Sequence, residues 1–178
     1  NFRTAVNPQI VKLYATGNYS ESRELLLDSS KMSFYLLYLL AIPIILLAGP
    51  LINFWLGQVP DFSVVFLRIV IVESLFNVFN VSFHTALYAK GQLKENALVN
   101  SVLGLLRFSC VWLLFYYGFS PVALSYVSLI SYILLGLLIK PILIYSIAGY
   151  SYKSVLSVFY VCVKIVILSL PIILFINS

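Results

Sequence analysis

Five apolar runs constrain this chain more than any other feature of its sequence. They cover residues 33–55, 64–89, 97–117, 122–140 and 158–176. Each contains about 18 or more mostly apolar residues, the length that an α-helix needs to cross a bilayer core of about 30 Å. Charged residues make up 10 % of the sequence, against about 25 % in a soluble domain. The sequence therefore predicts an all-α integral membrane protein, an antiparallel bundle of about five spans.

The region before the first run differs from the rest in composition. Residues 1–32 contain half of the acidic side chains. Within this region, Asn18 and Glu21 have the spacing of a helix-capping box. We predict a segment at 1–32, with an amphipathic helix that runs into the first span, and a transmembrane bundle at 33–178. The expected spans are 33–56, 64–89, 95–117, 121–148 and 155–176. Because the chain begins without Met and ends directly after an apolar run, we expect it to be part of a longer protein.

Basic residues alternate from loop to loop. Lys90 and Lys94 lie between the second and third runs, and Lys153 follows the fourth, whereas the other two connecting loops contain no basic residue. The positive-inside rule therefore places the leading segment and these two basic loops in the cytoplasm. The net charge of +5 is explained by this alternation. We therefore expect no nucleic-acid partner.

A few residues interrupt the apolar runs near their ends or within them. Arg68, Lys140 and Lys164 lie close enough to span ends for their side chains to snorkel to the membrane surface. Pro43 lies inside the first span and Pro171 inside the fifth. We expect these prolines to kink their helices, because neighbouring groups in a membrane bundle can satisfy the freed carbonyls.

Polar side chains follow one helical face in the second and third runs. Members of each set are three or four residues apart, which places them on the same side of a helix. The sets are Glu73, Asn77, Asn80 and His84, and then Asn96, Asn100, Gly104 and Arg107. Because a charge at the bilayer centre costs about 2.5–3.5 kcal/mol, such residues face a partner or a water-filled cavity. We favour a cavity over polar contacts that only join helices, and both interpretations stay open.

Two of these charges are expected to meet. Glu73 and Arg107 lie at similar depths, about 14–15 Å below the outer ends of their spans. The short turn between the two spans makes them antiparallel neighbours, so we predict that the two side chains pair and face the interior. His84 lies near the cytoplasmic end. For it we favour a hydrogen-bonded packing role over a proton-coupled switch.

No pattern of enzyme chemistry is present in the sequence. It contains no cluster of His and Cys, no Gly-rich phosphate loop and no Ser nucleophile motif. We read Cys110 and Cys162 as buried structural thiols that form neither a disulfide nor a metal site. We therefore predict that the protein is not an enzyme and holds no cofactor.

Four segments occur in an order that resembles a known transporter family. They are NPQIVKLYATGN at residues 7–18 with the charged helix that follows it, Pro43 with FWLG at 54–57, AKGQLK at 89–94, and YG at 117–118 with PVAL at 121–124. Together they cover nearly the whole chain. They are similar to the polysaccharide flippases (O-antigen type, Wzx-like) of the MATE/MOP transporter superfamily.

The resemblance implies a fold and a function. The fold would be a two-lobed bundle in the bacterial cytoplasmic membrane, with this chain as most of the C-terminal lobe and the N-terminal lobe as its missing partner. The substrate would be an oligosaccharide linked to undecaprenyl diphosphate, moved between leaflets by alternating access, without a cofactor and with coupling to H⁺ or Na⁺. Arg107, Asn100, Asn77 and Asn80 are positions for the substrate cavity. An arginine suits a diphosphate because it stays charged and binds oxygens bidentately.

Two other functions stay open. A MATE-like small-molecule or drug antiporter would share the fold, and it would need carboxylates for cation coupling, of which Glu73 is the one deep in a span. A membrane polysaccharide polymerase is less favoured, because it would need a large outward loop. A purely structural membrane subunit is a further alternative.

Overall fold

Nearly every residue that the structure describes is helical. The computed structural model describes the backbone of residues 2–176, and within it the side chains of 5–169 and 171. The helices are α1 (Phe2–Ala15), α2 (Tyr19–Leu46), α3 (Ala48–Leu56), α4 (Ser63–Ala89), α5 (Lys94–Tyr116), α6 (Val122–Ile133), α7 (Lys140–Ser146) and α8 (Tyr152–Ile176), and a π-helical segment, Leu134–Ile139, joins α6 to α7. No strand occurs in this described range.

Five helices are long and apolar enough to cross a membrane. They are Tyr19–Leu46, Ser63–Ala89, Lys94–Tyr116, Val122–Ser146 and Tyr152–Ser169. The fourth of them is α6, the π segment and α7 taken together. The all-α fold expected from the apolar runs is therefore confirmed, and the five long apolar helices are those of a multi-pass membrane protein by length and composition.

The amphipathic segment runs directly into the first span, as expected, because helix α2 continues without a break across residues 32 and 33. The span departs from expectation in two other details. The helix runs through Pro43 and ends at Leu46, and Leu47 then separates it from α3. Asn18 does precede α2, but its side chain makes no capping hydrogen bond. The predicted capping box is therefore wrong.

The helices pack in an order that differs from their order in the chain. Helix α2 packs against both α4 and α8, while α1 packs against α2 and α4. On α4 the main further neighbour is α6, and α5 packs against α6 rather than along α4. The expectation that the second and third spans are direct neighbours is therefore wrong, because α6 packs between them.

Aromatic rings form the centre of the apolar core. Phe79 of α4 stacks on Phe34 of α2 with ring centroids 5.5 Å apart, and it meets Phe159 of α8 edge-on at 4.8 Å. Phe83, one turn along α4, also contacts Phe159. Each of these aromatic contacts contributes about 0.5–1.5 kcal/mol to stability, in addition to the contribution of the apolar surface that it buries. They hold α2, α4 and α8 together as one unit.

The basic turns come together at one end of the bundle. Lys90, after α4, donates a hydrogen bond to the carbonyl of Ile147, after α7. Arg23, in the first turns of α2, donates to the carbonyl of Ala148 at 3.3 Å. We call this end the basic end. Its assembly agrees with the alternation of charge along the sequence, which predicts that it is cytoplasmic.

Tyr150 completes the contacts at the basic end. Its ring lies 5.6 Å below the Arg23 guanidinium and is 4 % exposed. Burial raises the pKa of the Tyr150 phenol, although Arg23 acts in the opposite direction. The phenol is therefore neutral at physiological pH, and its contact with Arg23 is a cation–π interaction rather than an ion pair.

At the opposite end, Arg68 fastens α4 to α2. The Arg68 side chain is exposed, and its Nε donates to the carbonyl of Ile45 at 3.1 Å. Ile45 lies in the last turn of α2, where carbonyls lack partners within the helix and attract cations. Lys164 is exposed on α8, as snorkelling requires.

Candidate functional site

A polar pocket lies where α4, α5 and α6 come together. Its volume is about 190 Å³. Its lining residues with polar side chains are Asn80, Asn100, Arg107, Ser131 and Tyr132, and Gly104 also lines it. We call this pocket the polar groove. Polar residues of the second and third spans line it together with residues of α6, which packs against both spans.

Three of the predicted site residues line the polar groove directly. They are Asn80 of α4 and Asn100 and Arg107 of α5. Asn77 is next to it, because Asn80 Nδ2 donates to Asn77 Oδ1 at 3.1 Å. This bond fixes the Asn80 amide so that its own oxygen is left to accept hydrogen bonds. The helical spacing predicts the common position of these residues, although His84, at the same spacing on α4, lies outside the groove.

Glu73 lies close to this group without joining it. It is half-buried, and it is near enough to Arg107 for an electrostatic interaction between the two charges. Within the described residues, however, the one ion pair is between Lys31 and Asp28. The Arg107 guanidinium therefore keeps its donors available to the polar groove. The predicted pairing with Glu73 stays a prediction.

Helix α6 supplies groove residues that the sequence did not indicate. Ser131 and Tyr132 lie in an apolar run in which Ser125, Tyr126 and Ser128 are also polar, and no polar face was predicted for this run. The Ser131 hydroxyl donates to the Val127 carbonyl at 2.8 Å. Its oxygen can still accept a hydrogen bond. These residues reach the groove because α6 packs between α4 and α5.

Lys140 is the most deeply buried charge in the described chain. Its side chain is 0 % exposed, and its ammonium donates to Oδ1 of Asn96, which is 3 % exposed. The prediction that Lys140 snorkels to the surface is therefore wrong, because the first turn of α5 covers it. Asn96 belongs to the same polar face of α5 as Asn100, one turn away. Lys140 and Asn96 therefore lie between the polar groove and the basic end of the bundle.

The π-helical segment brings α6 unusually close to α4. A Cβ atom placed on Gly136 would lie 2.8 Å from the Phe76 carbonyl oxygen. Such a segment inserts one extra residue into a helical turn and occurs often at functional sites. Here it lies directly before Lys140. The tight contact at Gly136 therefore sets the position of the polar groove relative to α4.

His84 does not belong to the polar groove. It is exposed and faces a second pocket, of about 700 Å³, between α4 and α1. Among the described residues it makes no hydrogen bond. The packing role favoured for His84 therefore does not fit the structure, and the structure separates this residue from the other candidates.

The third cavity of note is apolar. It has a volume of about 480 Å³ and lies among α2, α4, α8 and the π segment. Cys162 is one of its lining residues and is buried, as expected. Cys110 is exposed on α5, so its predicted burial is wrong for this chain. Both thiols are free.

Fold and groove together define a class of protein. It is a multi-pass, all-α membrane protein with a polar groove between three apolar helices. No protein-family model, no curated protein and no solved structure matches the chain. The groove itself therefore has to support any functional assignment.

Proposed function

We propose that the chain is part of a Wzx-like, O-antigen-type flippase of the MATE/MOP superfamily. Such a protein moves undecaprenyl-diphosphate-linked oligosaccharide across the bacterial cytoplasmic membrane for surface polysaccharide synthesis. One observation carries the proposal: Arg107 lines a polar groove between apolar spans, and within the described part of the chain its guanidinium forms no ion pair with a carboxylate.

The chemistry of the groove suits a diphosphate attached to sugars. Arg107 stays charged at every physiological pH and can bind two phosphate oxygens at once. The Asn80 and Asn100 amides and the Ser131 hydroxyl lie beside it and can exchange hydrogen bonds with sugar hydroxyls. A diphosphate head group loses its hydrogen bonds to water when it enters the membrane, and these polar side chains would replace them.

The size of the groove implies a second wall. At about 190 Å³ it is smaller than the roughly 300–1,000 Å³ of typical ligand pockets. In transporters built from repeats, the substrate site lies between two such units near the bilayer midplane. We therefore assign the opposing wall to an N-terminal lobe, which is the expected partner of this chain. The prenyl tail of the substrate stays in membrane lipid.

Complementation of a flippase-deficient strain tests the proposal. The full-length protein carries Arg107→Ala, Arg107→Lys or the control Lys164→Ala, which removes an exposed cation of α8 outside the groove. Loss of one charge-assisted hydrogen bond costs about 1.5–3 kcal/mol, so Arg107→Ala should reduce export about ten- to a hundredfold. Arg107→Lys should retain part of the export, and Lys164→Ala nearly all of it.

Two results would argue for another function. Normal export by Arg107→Ala, at normal protein levels, would remove the basis of the proposal. Complete loss in Glu73→Gln together with normal export by Arg107→Ala would instead favour a cation-coupled small-molecule antiporter. In a flippase, Glu73→Gln should have a milder effect than Arg107→Ala, unless Glu73 also carries the H⁺ or Na⁺ that is coupled to transport.

A further inference from the structure

We propose that the pocket between α1 and α4 binds the phosphate of an anionic phospholipid head group. We call it the α1–α4 groove. It is lined on one side by Lys12 and on the other by His84 and Tyr88, all exposed. This site is separate from the polar groove, and nothing in the proposed transport function requires it.

The donors of the α1–α4 groove lie at the depth of lipid head groups. His84 is five residues from the last residue of α4, residue 89, which places it about 7.5 Å inside the end of the helix. Tyr88 lies one turn closer to that end. Tyrosine and basic side chains are typical of this interfacial layer, where one side of a residue is apolar and the other is hydrated.

Basic side chains lie in the groove and near it. Lys12 contributes an exposed ammonium, and Lys140, buried behind α4, is near enough to act electrostatically on His84. Lys140 has a neutral amide as its acceptor, so within the described chain its charge is not neutralised by a carboxylate. Among the described residues, no Asp or Glu lines this groove, although Lys12 also lines a neighbouring pocket that contains Glu21, Glu24 and Asp28. The groove itself therefore offers an anion one exposed ammonium together with the hydrogen-bond donors of His84 and Tyr88.

The remaining walls select a lipid over a soluble anion. Pro8, Val11 and Ala15 of α1 give the groove an apolar side that can contact the glycerol and the first methylene groups of acyl chains. Within the groove, the Thr85 hydroxyl donates to the Asn7 amide oxygen at 3.4 Å, and this hydrogen bond joins α1 to α4. A phosphate with an attached apolar moiety fits both halves of the site, and inorganic phosphate fits one half.

Lipid titration of the full-length protein tests the site. The purified protein in detergent is titrated with short-chain phosphatidylglycerol and, separately, phosphatidylcholine, and bound lipid is counted by native mass spectrometry. Phosphatidylglycerol should bind more tightly. Lys12→Gln should weaken it about fivefold, the factor for about 1 kcal/mol per Lys or Arg near a membrane surface. His84→Gln removes a ring N–H donor and not a full charge, so it should weaken binding by a smaller factor. Lys153→Gln removes an exposed cation of the basic end outside the groove and should have no effect.

Three outcomes would overturn the proposal. Equal binding of the two lipids would show that the phosphate charge is not recognised. Equal weakening by Lys153→Gln and Lys12→Gln would show general attraction to a basic surface. Inorganic phosphate that binds as tightly as phosphatidylglycerol would assign the site to a soluble anion. Thermal unfolding of each variant without lipid identifies loss of fold, and the conservative variant His84→Asn then replaces a misfolded His84→Gln.

Discussion

The contact of Gly136 with α4 gives the most quantitative prediction. A Cβ at residue 136 would meet the Phe76 carbonyl oxygen at 2.8 Å, with the Phe79 Cβ at 3.8 Å. Carbon–oxygen contacts in proteins are about 3.3 Å or longer, so Gly136→Ala requires the two helices to separate by about 0.5 Å. The atom in the way belongs to the backbone, which cannot rotate aside. Overpacking of this kind costs about 1–3 kcal/mol.

Replacing glycine by alanine also stabilises a helix, which would mask part of the overpacking cost at residue 136. A second glycine-to-alanine variant without overpacking serves as the control. Alanine is favoured over glycine inside a helix by about 1 kcal/mol. Gly104, in the middle of α5, has no atom within 4 Å of an added Cβ. Gly104→Ala should therefore stabilise the protein by about 0.5–1 kcal/mol. Because both variants gain the same propensity, the difference between them should equal the overpacking cost at Gly136, about 1–3 kcal/mol.

Thermal unfolding of the full-length protein in detergent measures this difference. In a domain of 150–250 residues, about 1 kcal/mol shifts the Tm by about 2–4 °C. Gly136→Ala should therefore unfold at least a few degrees below Gly104→Ala. Equal Tm values, or a lower Tm for Gly104→Ala, would refute the close approach of the π segment to α4.

Three further predictions concern the basic end. Asn96→Ala should destabilise the protein by about 1.5–3 kcal/mol, because it leaves the buried Lys140 without an acceptor, and adding Lys140→Met should recover part of that loss in thermal unfolding. Tyr150→Leu should cost about 0.5–2 kcal/mol through loss of the contact with Arg23, whereas Tyr150→Phe should be nearly neutral by the same measurement. A cysteine placed at Gln92, in a variant without native cysteines, should not be labelled from outside intact cells; efficient labelling would invert the topology.

Span number and the polar faces could be predicted because they depend on local properties of the sequence. The length of an apolar run decides whether a helix can cross a bilayer. The spacing of Asn77 and Asn80, and of Asn100 and Arg107, fixes which side of each helix is polar. Both properties are independent of which helices become neighbours, so they hold in the structure.

Helix neighbours could not be predicted in the same way. A short turn between two spans shows that they are antiparallel, yet the structure has α6 between α4 and α5. The close packing of the π segment against α4 needs a glycine at residue 136. The sequence contains Gly136, but it does not show that this residue contacts the Phe76 backbone. The burial of Lys140 depends on the same arrangement. A lysine near the end of an apolar run reaches water unless another helix covers it, and here α5 does.

The position of Arg107 depends on how α5 is held. Asn96 is the one buried residue of α5, and it lies at the start of the helix, where it binds Lys140. Residues 96 and 107 are eleven positions apart, or about 16 Å along the axis. A tilt of α5 by about 5° around Asn96 would therefore move Arg107 by about 1.4 Å, and misplacement by about 1 Å can already impair a substrate-binding site severely. Packing on α6 limits this tilt on one side. If the proposed function is correct, the opposing lobe has to limit it on the other, which makes the binding geometry at Arg107 a property of the two lobes together.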